Sequence, residues 1–196
     1  PVVAGEVLIS YIPHPKSDPP GVMGILAGFK IDLQGAKLLW SLDERFHREM
    51  LYDAGGFRHI AVRDGLLYHT TLSSDTPGKK NTGAWVVQVI RPTDGAILAG
   101  QPLEARVFFP FLWGNRLILA GDINHRPRAA NPEYWQMFTA DPADFKPLGG
   151  PWLATDKHQG TGGYELQLYD AFADGLVFMR VFGGIVCYDL RAYRDK

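Results

Sequence analysis

Short apolar runs separated by turn residues fill the chain, and four of them open in the same way. They are "VLISYI" after Glu6, "LLYHTTL" after Gly65, "RLILAGD" after Asn115 and "LVFMRVF" after Asp174-Gly175. All are rich in branched and aromatic residues, which favour strands. The turn positions 6, 65, 115 and 175 lie 59, 50 and 60 residues apart. A second phrase follows each run, a strand that ends at a polar turn. Its copies are "AGFKIDLQGAKLLW", "VVQVIRPTDGAIL", "QMFTADPADFKPL" and "IVCYDLRAYRDK". Aligned on Asp32, Arg91, Asp141 and Asp189, this phrase falls 26 residues beyond the first marker three times and 14 residues beyond it the fourth time. Three equal spacings, and one shorter by twelve, predict one supersecondary unit repeated four times, the last without an insertion.

Each unit has an upstream strand candidate: "PVVA" at Pro1, "RHIAV" at Arg58, "VFFPFLW" at Val107 and "YELQLYDAF" at Tyr164. The downstream candidates are "AKLLW", "AILA" and "FKPL", and the fourth unit has no convincing one. The prediction is an all-β chain of four-stranded antiparallel meanders. A four-stranded sheet recurring at roughly 50 residues is the pattern of a β-propeller blade. The expected blades are approximately residues 1–41, 57–99, 107–149 and 164–196, in one propeller segment.

Three stretches carry a family resemblance. "PVVAGEVLIS" resembles the first hairpin of the pyrroloquinoline-quinone-like (PQQ-like) propeller repeat. "IDLQGAKLLW" resembles that repeat's later turn, with Trp40 eight residues beyond Asp32, and "GIVCYDLR" fits the same turn up to Asp189. The middle copies depart from it: Arg91 replaces the Asp, and Ala99 and Gly149 stand where the Trp would be. The resemblance implies a propeller of seven or eight blades, so these four are expected to be part of a larger ring completed by another chain or chain segment. It also implies an extracytoplasmic location, periplasmic or secreted. The family's adjacent cysteine pair and calcium-ligand set have no counterpart here, which argues against bound quinone.

Composition narrows the picture further. A net charge of -1 in 196 residues gives no chain-wide attraction to nucleic acid. No apolar run approaches the ~18 residues of a membrane-spanning helix. The 22 Gly and 14 Pro fit many short strands joined by turns. The one cysteine, Cys187, excludes an internal disulfide and sits in an apolar strand, where a buried thiol is expected.

In an up-down-up-down meander the second-to-third strand connections share one end with those between units. The former are "PHPKSDPPGVM", "SSDTPGKKNTG" and "NHRPRAANPEY"; the latter include "DERFHREMLYDAGGF" and "ATDKHQGTGGY". Asp43, Phe46, Met50 and Leu51 predict a short helix in the first of these unit-to-unit connections. Five of six histidines fall at this end: His14, His47, His59, His125 and His158. Only His69 lies inside a second strand. Arg58, Arg126 and Asp156 join them, and Trp152 and Tyr134 lie close by as aromatic platforms for a sugar or other flat ligand. Connections on a rigid scaffold are where binding and catalysis concentrate. Two functions compete. One is a non-catalytic module whose long-looped face binds a protein or carbohydrate. The other is an enzyme, a polysaccharide lyase or hydrolase or a divergent oxidoreductase. There His59, His158 and His47 would be acid/base groups or ligands of a divalent metal, and Arg58 or Arg126 would hold an anionic group. The histidine spacing fixes no metal site, and no hydrolase or redox motif is present.

Overall fold

A computed structural model of the chain describes residues 1–13, 24–47, 60–72, 85–103, 106–122, 133–155, 171–181, 184–189 and 191. The first sheet is β1 (Val2–Ala4), β2 (Val7–Pro13), β3 (Gly24–Asp32) and β4 (Gly35–His47). The second is β5 (Ile60–Arg63), β6 (Leu66–Leu72), β7 (Trp85–Ile90) and β8 (Ile97–Leu103). The third is β9 (Arg106–Trp113), β10 (Arg116–Asp122), β11 (Glu133–Thr139) and β12 (Pro147–Thr155). The fourth has three strands among the described residues: β13 (Ala171–Ala173), β14 (Leu176–Val181) and β15 (Gly184–Asp189). Every sheet is an antiparallel meander in chain order. Helical structure among the described residues is confined to a 3-10 turn, Pro142–Asp144, and to Arg191, which also has 3-10 conformation.

The hairpins that open the sheets follow from local chemistry. Asp64-Gly65 and Asp174-Gly175 both take positive φ (50° and 72°, 47° and 77°), as the two central residues of a type I′ turn must. In the other two first hairpins only Gly5 and Gly114 do so. The second recurring phrase is an Asx turn. Asp32 Oδ1 accepts from Gln34 N at 2.8 Å, Asp141 Oδ1 from Ala143 N at 2.8 Å, and Asp189 Oδ1 from Arg191 N at 3.0 Å. In the second sheet, where Arg91 takes that place, Asp94 accepts from Ala96 N at 3.1 Å and pairs with Arg91 at 3.2 Å.

The sheets stack face on face. Ile9, Leu26 and Trp40 of the first sheet pack with Ile60, Leu67 and Ile90 of the second. On the second sheet's other face, Tyr68, Val87 and Val89 pack with Leu117, Phe138 and Phe145 of the third. Burying a side chain such as Leu67 or Ile90 contributes about 2 kcal/mol. The first strands of these three sheets are neighbours, β1 beside β5 and β5 beside β9.

Two expectations are corrected. Asp43 to His47 do not start a helix but continue β4, with Ile25 opposite Phe46 and Gly24 opposite His47. Pairing satisfies the backbone of β3 along its length, and that tertiary gain overrides a local helical pattern. Met50 and Leu51 lie outside the described residues. The outer strands β4, β8 and β12 end at His47, Leu103 and Thr155. Cys187 is exposed rather than buried. It pairs with Phe178 on a face of the fourth sheet that no further sheet covers among the described residues.

Candidate functional site

Cross-sheet bonds orient the ends of the molecule. Arg63 reaches across to donate to the Gly114 carbonyl, joining the first hairpins of the second and third sheets. Trp40 Nε1 donates to Pro92 O at 2.6 Å, and Tyr68 Oη donates to Ala140 O at 2.7 Å. Both acceptors belong to short turns between third and fourth strands. The short turns of the first three sheets therefore gather at one end. The connections 14–23, 73–84 and 123–132, within sheets, and 48–59 and 156–170, between sheets, leave from the opposite end.

Among the described residues, a buried polar cluster lies between the first and second sheets toward that opposite end. Tyr11 Oη and His69 Nε2 are 2.8 Å apart, with ring centroids 6.0 Å apart and tilted by 49°. His69 is buried, as are its cross-strand partner Gln88 and Thr71, two residues along β6 on the same face. Tyr11 stands just before the end of β2, and His69 just before the end of β6. The pair thus joins the two strands that feed connections 14–23 and 73–84. Desolvation pushes the Tyr11 phenol far above its ordinary range, so it stays neutral at any physiological pH. A neutral phenol donates to Nε2 when the imidazole proton is on Nδ1, or accepts from Nε2–H in the other tautomer. Its role is to hold two sheets in register beneath the connections.

His69 is the one histidine inside a second strand, away from the connections to which the sequence pattern assigns the other five. The signal was in the alternation: Leu67, His69 and Thr71 share a face, and Leu67 is core. The expected site residues fare differently. His14, Arg58, His59, His125, Arg126, Asp156 and His158 lie outside the described residues. His47 is the last residue of β4, in register with Gly24, and not part of a connection. Trp152 pairs in register with Trp135, and Tyr134 with Leu153, so the two aromatic candidates are not cross-strand partners. Among the described residues no three His, Cys, Asp or Glu side chains gather as a metal site. No described helix is long and apolar enough to cross a membrane.

The chain matches no protein-family model and no curated protein sequence.

Proposed function

We propose that the four sheets are successive blades of a β-propeller of PQQ-like type, and that the chain acts outside the cytoplasm as a binding module. Its partner, a protein or a carbohydrate, is received at the end where the long connections gather. The observation that carries this reading is the separation of the two ends. Bonds between neighbouring sheets collect the short turns on one side, so the connections able to vary without disturbing the strands share the other. Adjacent first strands, β1 with β5 and β5 with β9, suit the inner ring of a propeller. The Tyr11–His69 pair gives the strands beneath those connections a fixed spacing.

Photo-crosslinking in the native compartment tests the reading. A photoreactive residue is placed at Gly78, in a long connection, or at Leu33, a fully exposed residue of a short turn. Adducts with a protein or glycan are expected from position 78 and not from 33. Equal adducts from both, or none from 78, would overturn the proposal.

A further inference from the structure

The boundary between the first and second sheets is more polar than the next one. Tyr11 reaches across it to His69, and His69, Gln88 and Thr71 share the face that looks back. Register shows what the third sheet holds at the same places. Arg63 opposes Leu66 in the second sheet's first hairpin, and Trp113 opposes Arg116 in the third's. Counted from there, Leu119 stands where His69 does and Gly121 where Thr71 does. Leu119 is buried in the apolar cluster of its own boundary. The repeated unit therefore does not require a histidine or a threonine at these places. Burying such groups costs stability unless each polar atom finds a partner.

Two atoms at this boundary have no partner among the described residues. They are Thr71 Oγ1 and Gln88 Oε1, on residues only 1% and 3% exposed, and both atoms are fully buried. Gln88 lies opposite His69, and Thr71 lies two residues beyond His69 on the same face. The two side chains are thus diagonal neighbours on a regular ladder, close enough for one small group to bridge them. An amide carbonyl oxygen only accepts, whereas a hydroxyl both donates and accepts. Whatever satisfies the pair must donate to Gln88.

We propose that this boundary is a binding site for an internal water molecule, which bridges Thr71 Oγ1 and Gln88 Oε1 beside the Tyr11–His69 bond. The chemistry of the cluster selects it. The buried polar side chains among the described residues are His69, Thr71, Gln88 and, on the other face of β6, Thr70. None is a carboxylate, so nothing in the cluster balances a cation. An anion would bring its own negative charge against the Gln88 carbonyl oxygen. Water donates to that oxygen and either donates to or accepts from the hydroxyl, and internal water is held where buried polar groups would otherwise go unsatisfied. The bridge restores to each atom the hydrogen bond that burial removed. It sits on the strand that leads into connection 73–84, so that connection leaves from a boundary fixed by hydrogen bonds, while the next boundary rests on apolar packing. The site lies inside the sheets and is independent of what the connections bind.

The test combines a crystal structure of the full chain, at a resolution that shows ordered water, with urea unfolding of variants. Density for a water within hydrogen-bond distance of both Thr71 Oγ1 and Gln88 Oε1 is expected. Thr71→Val keeps the shape of the side chain and removes the hydroxyl. If the hydroxyl holds a water, its loss breaks the bridge to Gln88, and the folding equilibrium constant should fall about tenfold. If it holds nothing, the substitution relieves an uncompensated burial, and stability should stay level or rise. Thr71→Ser retains the hydroxyl and should retain the water. Adding Gln88→Leu to Thr71→Val removes both buried groups, so the double variant should lose less stability than the sum of the single changes. The density in the parent decides the question even where a variant does not fold. No density between the two oxygens, a metal ion in its place, or a Thr71→Val protein as stable as the parent would each overturn the proposal.

Discussion

The Trp40 indole donates to Pro92 O across the boundary between the first two sheets, and its ring lies between Gly28 and Gly95. Gly28 is its cross-strand partner in the same sheet, while Gly95 belongs to the short turn of the next. One side chain therefore sets both the distance between two sheets and their orientation.

Gly95→Ala is expected to be costly for two separable reasons. The backbone there has φ 74°, and an added Cβ would meet the Trp40 ring at 2.7 Å. The indole is held by its bond to Pro92, so it cannot swing away without losing that bond. Gly65 has nearly the same φ, 72°, with nothing within 4 Å of an added Cβ. Gly65→Ala should cost about 1 kcal/mol of backbone strain. Gly95→Ala should cost about 3 kcal/mol, strain plus overpacking. Urea unfolding of the two variants isolates the packing part, and equal losses would show that the Trp40 seat is loose.

The next boundary solves the same problem with sizes exchanged. Ala99 occupies the register position of Trp40, and Phe145 that of Gly95. Ala99 packs on the cluster containing Phe145, which stacks on Phe138 at 5.5 Å. Gln101 Nε2 then donates to Phe145 O at 2.9 Å. Phe145→Ala should cost about 3 to 5 kcal/mol. Ala99→Trp alone should clash, and adding Phe145→Gly should recover at least about 1 kcal/mol relative to the sum of the single changes. Strict additivity in that cycle would mean that the two positions do not share the boundary.

That exchange shows what the sequence could and could not reveal. Turn markers were legible because hairpin and Asx-turn chemistry is local: Asp64-Gly65, Asp174-Gly175, Asp32, Asp141 and Asp189 act within a few residues of themselves. Ala99 and Gly149 looked like decay of a Trp position because the compensating residue, Phe145 for Ala99, belongs to another unit. The exposure of Cys187 is hidden for a similar reason, since alternation reports which face a residue takes but not whether a neighbour covers that face. The extension of β4 through His47 depends on its pairing with β3, which no local pattern encodes. Of the candidate site, the one-ended distribution of long connections was legible from strand order, while the buried Tyr11–His69 pair needed two sheets to be brought together.

The Tyr11–His69 pair should couple energetically. Tyr11→Phe removes a hydrogen bond at a buried imidazole and is expected to cost about 1 to 2 kcal/mol. His69→Leu should cost a similar amount, and the double variant less than the sum. Chemical denaturation of the four proteins of the cycle measures this directly, and a coupling energy of zero would show that the two groups do not stabilise one another.

Alkaline pH should unfold the protein through its buried tyrosines. Burial raises the phenols of both Tyr11 and Tyr68. For Tyr68, Asp64 and Asp141 add to that rise and Arg63 opposes it. In the unfolded chain each phenol ionises near pH 10, whereas burial makes the folded protein hold both protons more tightly. The folded state then binds more protons than the unfolded state, so stability must fall as pH rises. It is fully retained below about pH 10 and declines above it by up to about 1.4 kcal/mol per pH unit for each tyrosine. Tyr11→Phe and Tyr68→Phe should each remove one share of that slope, although each starts from lower stability at neutral pH. Urea midpoints measured from about pH 8 to pH 11 give the slope for parent and variants. An unchanged slope in Tyr11→Phe would mean that its phenol ionises as freely in the folded protein as in the unfolded chain.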